Sequence, residues 1–176
     1  DLTKEEDLVV TLSNAGYVKA QPVDIYTSQK RGGRGKTAAT VKDEDFIEKL
    51  FVANSHDTIL CFSSLGKVYW LKVYDIPQSG RSAKGKAIVN ILSLAQFEKI
   101  TAIQKISNYD ESLFVLMATS NGIIKKTKLS DFSRPRSSGL IAINLKDGDN
   151  LIEVSVTNGK KEIMLFSSAG KAIRFK

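Results

Sequence analysis

A chain of 176 residues, 42% hydrophobic and 26% charged, is long enough for one domain with a buried core. No run approaches the roughly 18 apolar residues of a membrane span and no signal-peptide pattern opens the chain, while the lone Cys61 cannot form an internal disulfide, which fits a reducing cytoplasm. The net charge of +7 calls for a polyanionic partner, nucleic acid first and an anionic membrane surface second.

Along the chain one design recurs four times: an apolar strand, a Ser or Thr, two residues, a Gly, then a return strand. The first pass runs from Val9 to Gly16 and returns through Tyr17-Val18-Lys19. The second runs from Ile59 to Gly66 and returns through Lys67-Val68-Tyr69-Trp70. The third runs from Val115 to Gly122 with Ile123-Ile124-Lys125, and the fourth from Ile163 to Gly170 with Lys171-Ala172-Ile173. The glycines stand 50, 56 and 48 residues apart, a spacing in the range of propeller blades. A further glycine (Gly35, Gly85, Gly139) marks a later loop in the first three units. A closing apolar strand follows, over 46–52, 100–106 and 151–156. Four strands to a unit predicts an all-β, propeller-like architecture.

The units divide the chain into a linker (1–6), blade 1 (7–55), blade 2 (56–109), blade 3 (110–159) and the start of a fourth (160–176). No long helical pattern competes; Leu129 to Phe132 and Ser93 to Phe97 are each expected to form at most one turn. The opening Asp-Leu-Thr-Lys-Glu-Glu-Asp has no initiator Met, and the fourth unit stops after its hairpin, so the natural protein is expected to extend further.

The chemistry concentrates in Gln29-Lys30-Arg31-Gly32-Gly33-Arg34-Gly35-Lys36. Between Tyr26 and Lys42 there are five cations and no acid. Its glycines let backbone amides approach an anion, and its interleaved cations can pair with neighbouring phosphates. Nothing in it is built to read base edges. Aligned on the second glycine, Arg81, Lys84 and Lys86 in unit two and Arg134 and Arg136 in unit three fall at or near the same positions, with Lys125, Lys126 and Lys128 upstream. Blades arranged about an axis would carry these loops on one rim, a track for bent duplex DNA.

The run Gln29 to Gly35 resembles the signature box of the DNA gyrase A C-terminal domain family, Q-R-R-G-G-K-G, with Lys30 for Arg and Arg34 for Lys. Val73 to Pro77 and Gly85 to Asn90 are similar to that family's second blade, and the resemblance covers essentially the whole chain. It implies a β-pinwheel, a propeller-like disc of four-stranded blades that exchange strands with their neighbours, of which about three and a half are present. It also implies that double-stranded DNA wraps on the basic rim in support of ATP-dependent negative supercoiling by this type II DNA topoisomerase. The partners so implied are the rest of gyrase A together with gyrase B, in a heterotetramer at the nucleoid of the bacterial cytoplasm. The cleaving tyrosine, ATP and Mg2+ would all be found elsewhere in the holoenzyme, with no catalytic site, metal or small-molecule substrate here. The intact first box favours gyrase over a topoisomerase IV-type domain. Pro135 and Ser138 stand at box positions in unit three, which is therefore expected to be the weakest contact.

Other readings fare worse. Gly35-Lys36-Thr37 ends like a phosphate-binding loop, but the glycine required five residues earlier is Lys30. His56 and Cys61 alone make no metal cluster, and Cys61 within a strand reads as a small core residue. Asp43-Glu44-Asp45 and Asp110-Glu111 read as solvated loops. Tyr69 and Trp70 do not interleave with the basic loops as a single-strand binder would require. A propeller that binds an acidic protein remains the alternative from another class.

Overall fold

The computed structural model describes residues 4–31, 45–159, 163–166 and 172–175. The first unit comprises β1 (Asp7–Ser13), β2 (Tyr17–Pro22), a helix α1 (Val23–Arg31) and β3 (Ile47–Asn54). The second holds β4 (Thr58–Ser63), β5 (Lys67–Lys72), β6 (Lys86–Ala87) and β7 (Ile100–Ile106). In the third are β8 (Phe114–Thr119), β9 (Ile124–Lys128), β10 (Leu140–Ile141) and β11 (Leu151–Thr157), and β12 (Ile163–Phe166) pairs with β13 (Ala172–Phe175) in the fourth.

The four-residue signature Ser/Thr-x-x-Gly has a local cause. In each of the first three units the glycine N–H donates to the carbonyl of the Ser or Thr three residues earlier, at 3.0 Å for Gly16, Gly66 and Gly122 alike. These glycines sit at φ of 88°, 80° and 82°, where a β-carbon is disfavoured. The Ser or Thr hydroxyl then accepts the next N–H, from Tyr17 (3.1 Å), Lys67 (3.3 Å) or Ile123 (3.1 Å). Turn type and side-chain chemistry agree, and the hairpin register follows.

Strands cross from one unit to the next. The sheets run β3-β1-β2-β6, β10-β5-β4-β7 and β11-β8-β9. Strand β6 belongs to unit two by sequence yet pairs with β2 of unit one, through Tyr17↔Ala87 and Val18↔Lys86. In the same way β10 of unit three pairs with β5 of unit two. Each exchanged strand forms one edge of its host sheet, and the unit's own closing strand forms the other.

The sheets stack face to face. Leu8, Val10, Leu12 and Val18 of the first meet Ile59, Cys61, Tyr69 and Leu71 of the second. The opposite face of the second sheet sends Leu60, Phe62 and Val68 against Val115, Met117, Phe132 and Leu151 of the third. Strand β4 is therefore buried at every position, which is why it reads as an unbroken apolar run rather than an alternation. Each large side chain so buried stabilises the stack by about 1.5–3 kcal/mol. Cys61 is part of this core, and burial pushes the pKa of its thiol up to about 12. The closing strands are tied across sheets: Lys105 Nζ donates to the Val52 carbonyl (2.8 Å) and Gln104 Nε2 to the Val154 carbonyl (2.9 Å). These ties bring β3, β7 and β11 together along one side of the stack, and the exchanged strands form the opposite edges of their sheets.

Two local expectations change. A nine-residue helix, α1, follows β2 where only loop was expected. Its β-branched Val23, Ile25 and Thr27 hide it from a propensity reading, but Asp24 in the first turn complements the helix dipole. Thr27 and Ser28 hydroxyls return to the Val23 and Ile25 carbonyls at 2.7 and 2.9 Å. The second change is at Ser93 to Phe97, which makes a non-helical turn with Phe97 at φ 65°; the 3-10 turn of that region is Ile88–Asn90 instead. Leu129–Phe132 forms its expected single 3-10 turn.

Candidate nucleic-acid interface

The loop of unit two that leads into β6 runs along the outer edge of the first sheet. Ala20 N–H donates to the Pro77 carbonyl (3.1 Å), and Ser79 N–H donates back to the Ala20 carbonyl (3.3 Å). Lys19 Nζ then donates to the carbonyls of Gly80 (3.2 Å), Arg81 (3.2 Å) and Ala83 (2.9 Å). Gly85 follows at φ 91°, packed on the Val18 carbonyl, and Ile88 N–H closes the segment on the Gly16 carbonyl (2.8 Å). Arg81, Lys84 and Lys86 are all exposed on this stretch, with Lys84 Nζ 5.5 Å from the Tyr17 ring centroid.

Unit three repeats the arrangement one sheet further on. Lys67 Nζ donates to the Ser138 carbonyl (2.8 Å), Gly139 sits at φ 77° against the Tyr69 ring, and Ala142 N–H reaches the Gly66 carbonyl (2.8 Å). Gly85 and Gly139 thus occupy equivalent places, each three residues before the amide that ties down on the hairpin glycine. Arg134 and Arg136 are exposed on this loop. The fold brings the cations of units two and three onto matching outer loops. Of the first box, Gln29, Lys30 and Arg31 form the last residues of α1, so this part is helix end rather than loop. Gly32, Gly33, Arg34, Gly35 and Lys36 lie outside the described residues.

Not every basic residue near these loops is available to a ligand. Lys125 Nζ is committed to the Ala142 carbonyl (3.0 Å), whereas Lys126, like Lys84, stays exposed with its Nζ over a ring, 4.9 Å from the Phe114 centroid. Lys19 is half-buried, and that desolvation holds its ammonium below the usual lysine value. Lys19 and Lys67 were invisible as structural residues in the sequence, because a lysine on a return strand looks like any surface lysine.

The acids also have work within the fold. Asp45 accepts from Ala15 N–H (2.9 Å), and hydrogen bonds from Ser13 first and then Ala15 hold its carboxyl below the usual range. Buried Glu98 accepts from the Ser63 hydroxyl (2.5 Å), the Tyr69 hydroxyl (2.8 Å) and Ala95 N–H (2.8 Å). Burial and this carboxylate together push the Tyr69 phenol up. Asp149 accepts from the Ser120 hydroxyl (2.7 Å), Asn121 N–H (3.0 Å) and Asn150 N–H (2.9 Å). Each acid precedes its unit's closing strand and locks that strand to the hairpin turn. Burial raises the Asp149 carboxyl, but the hydrogen bonds outweigh it and hold it below the ordinary 3.8. A depressed folded value stabilises the native state above the ordinary one, and that contribution is lost as pH falls through the folded value. Stability should therefore decline as pH falls below about 4. In Asp149→Asn the decline should be shallower from a lower starting stability, as read by urea unfolding across pH; an unchanged slope would contradict this.

Among the described residues no group of His, Cys, Asp and Glu is arranged to hold a metal ion, and no helix is long and apolar enough to cross a membrane. The repeated, strand-exchanged units are matched by a family model described as DNA gyrase C-terminal domain, beta-propeller, at residues 7–54, 57–107, 114–158 and 161–176. The chain belongs to this family. Among gyrase relatives, the DNA gyrase A subunit of Haemophilus influenzae is 61% identical over 99% of this chain, which spans 20% of that protein's length. A solved C-terminal domain of DNA topoisomerase IV is similar in fold, with a TM-score of 0.80 at 28% identity over 98% of this chain and 52% of that one. A solved DNA gyrase A C-terminal domain gives a TM-score of 0.67 at 24% identity over 96% of this chain and 54% of that one. The all-β, propeller-like architecture expected from the repeat, and the pinwheel that the resemblance implied, are thus the fold of this family.

Proposed function

We propose that the outer loops bind double-stranded DNA through its phosphates and curve it against the rim, in support of ATP-dependent negative supercoiling by a gyrase. The observation that carries this reading is the matching placement of exposed Arg81, Lys84 and Lys86 on one sheet edge and Arg134 and Arg136 on the next. Their side chains offer charge and forks suited to phosphate oxygens, without an arrangement that would read base edges. Each phosphate neutralised should contribute about −0.9 to the log–log salt slope. Curving a duplex costs on the order of 1–6 kcal/mol per 20–30 base pairs, which several such clusters together can offset. The first box, with the densest charge, is the strongest of these contacts. In this reading the chain works with the remainder of gyrase A and with gyrase B in the bacterial cytoplasm, where ATP and Mg2+ are bound, and itself performs no chemistry.

A topoisomerase IV-type role draws support from the fold likeness to that enzyme's C-terminal domain. The near-complete box and the 61% identity to a gyrase A relative favour gyrase. Binding to an acidic protein would share the salt dependence but not the effect on DNA topology. The test is the linking number of a relaxed plasmid closed by a nicking-closing enzyme in the presence of the intact gyrase without ATP. A shift that grows with protein is expected, and no shift at saturation would count against wrapping.

A further inference from the structure

The three carbonyls gathered by Lys19 suggest a use for it. We propose that Lys19 is a positioning residue, which holds the Gly80–Ala83 segment in the shape that presents Arg81 and Lys84 at the outer edge of the neighbouring sheet. An ammonium has three protons to give. Lys19 gives them to Gly80, Arg81 and Ala83, residues 61 to 64 positions away in sequence. A lysine so engaged has no proton left for a phosphate, so it acts on DNA through its neighbours and not by contact. The segment it holds otherwise has a single internal backbone bond, from Ala83 N–H to the Gly80 carbonyl (3.2 Å). Carbonyls turned together repel one another; the cation between them offsets that repulsion and fixes which way the chain bends. Lys84, whose ammonium lies over Tyr17 two residues before Lys19, is held to the same strand. Among the described residues Lys67 gives the loop of unit three a single bond, to Ser138, so the device is stronger at the junction of units one and two than at that of units two and three.

The DNA half of this proposal rests on the duplex-binding reading; the loop-holding half does not. Two measurements on the full-length protein separate them. The first is hydrogen exchange at the amides of residues 80–86. Lys19→Met should speed it about tenfold or more, the loss of at least one hydrogen bond to a charged group, while the loop of residues 133–141 stays unchanged. Lys19→Arg, which keeps donors in place, should restore protection. The second is duplex affinity in a double-mutant cycle. Lys19→Met and Arg81→Ala should each weaken binding by about threefold to tenfold, and the pair no more than the worse single change, because both remove the same contact. With Arg134→Ala in place of Arg81→Ala the losses should multiply. Unchanged exchange at 80–86, exchange raised equally in both loops, or losses that multiply for Lys19 and Arg81 would overturn the proposal. Faster exchange with no effect of Arg81→Ala on affinity would overturn the DNA reading while leaving the loop-holding role supported.

Discussion

Replacing Lys30, Arg31 and Arg34 together with alanine is expected to abolish negative supercoiling by the holoenzyme and to leave its ATP-independent relaxation intact. Supercoiling requires the duplex to be held in a curved path of one sense, whereas relaxation requires only strand passage. Removing three phosphate partners should take about 2.7 from the log–log salt slope, roughly 0.9 for each cation. Misfolding is a poor alternative explanation for such a loss. Lys30 and Arg31 stand in the last turn of α1, where alanine is the better helix former. Alanine at Arg134 and Arg136 should have a smaller effect, because Pro135 and Ser138 thin the charge of that loop. Supercoiling assays over a range of salt, run beside relaxation assays, read both results. Equal loss of the two activities would contradict the assignment of the box to DNA wrapping.

Repeat spacing carried most of the fold. The three described hairpin turns with Gly16, Gly66 and Gly122, the β12–β13 pair and the closing strands all fall within a few residues of the positions that periodicity implied, because turn chemistry and β-rich runs are local signals; Gly170 lies outside the described residues. Strand exchange is another matter. Lys86-Ala87 and Leu140-Ile141 are two-residue strands whose partners lie about 70 residues earlier. Nothing in so short a stretch announces a partner, and only the family resemblance pointed to it. Helix α1 was missed because its three β-branched residues lower helix propensity, while the tertiary contacts with β1 and β2 that support it are non-local. At the site, charge was legible and its allocation was not. Lys125 looks as available as Lys128, yet its ammonium belongs to the Ala142 carbonyl. Asp45 reads in the sequence as part of a solvated loop, but it braces a hairpin turn, as Glu98 and Asp149 do in the next units.

Exchange of strands between sheets makes Gly85, like Gly66, a position where one added methyl group should do great harm. Gly85 is at φ 91°, a conformation that costs an L-residue roughly 1–2 kcal/mol. Its missing β-carbon would fall on the Val18 carbonyl oxygen and within 2.8 Å of Lys19 Cβ, both parts of the partner strand and neither a flexible tip. Gly85→Ala must therefore push β6 off β2, breaking the pairs at Tyr17 and Val18 as well as straining the backbone. A loss of about 3 kcal/mol or more is expected, in the upper range for single substitutions. Gly122→Ala is the internal control: its φ is 82°, but nothing lies within 4 Å of the added carbon, so only the backbone cost of about 1–2 kcal/mol applies. Gly139→Ala should resemble Gly85→Ala, since the carbon would meet the Tyr69 ring at 2.7 Å and that ring is held by its hydroxyl on Glu98. Urea midpoints of the three variants rank the effects. If Gly85→Ala proved no more harmful than Gly122→Ala, the exchanged strand would be an ornament of the edge. A larger loss would show that the close approach of Gly85 to β2 is what holds the exchanged strand in place.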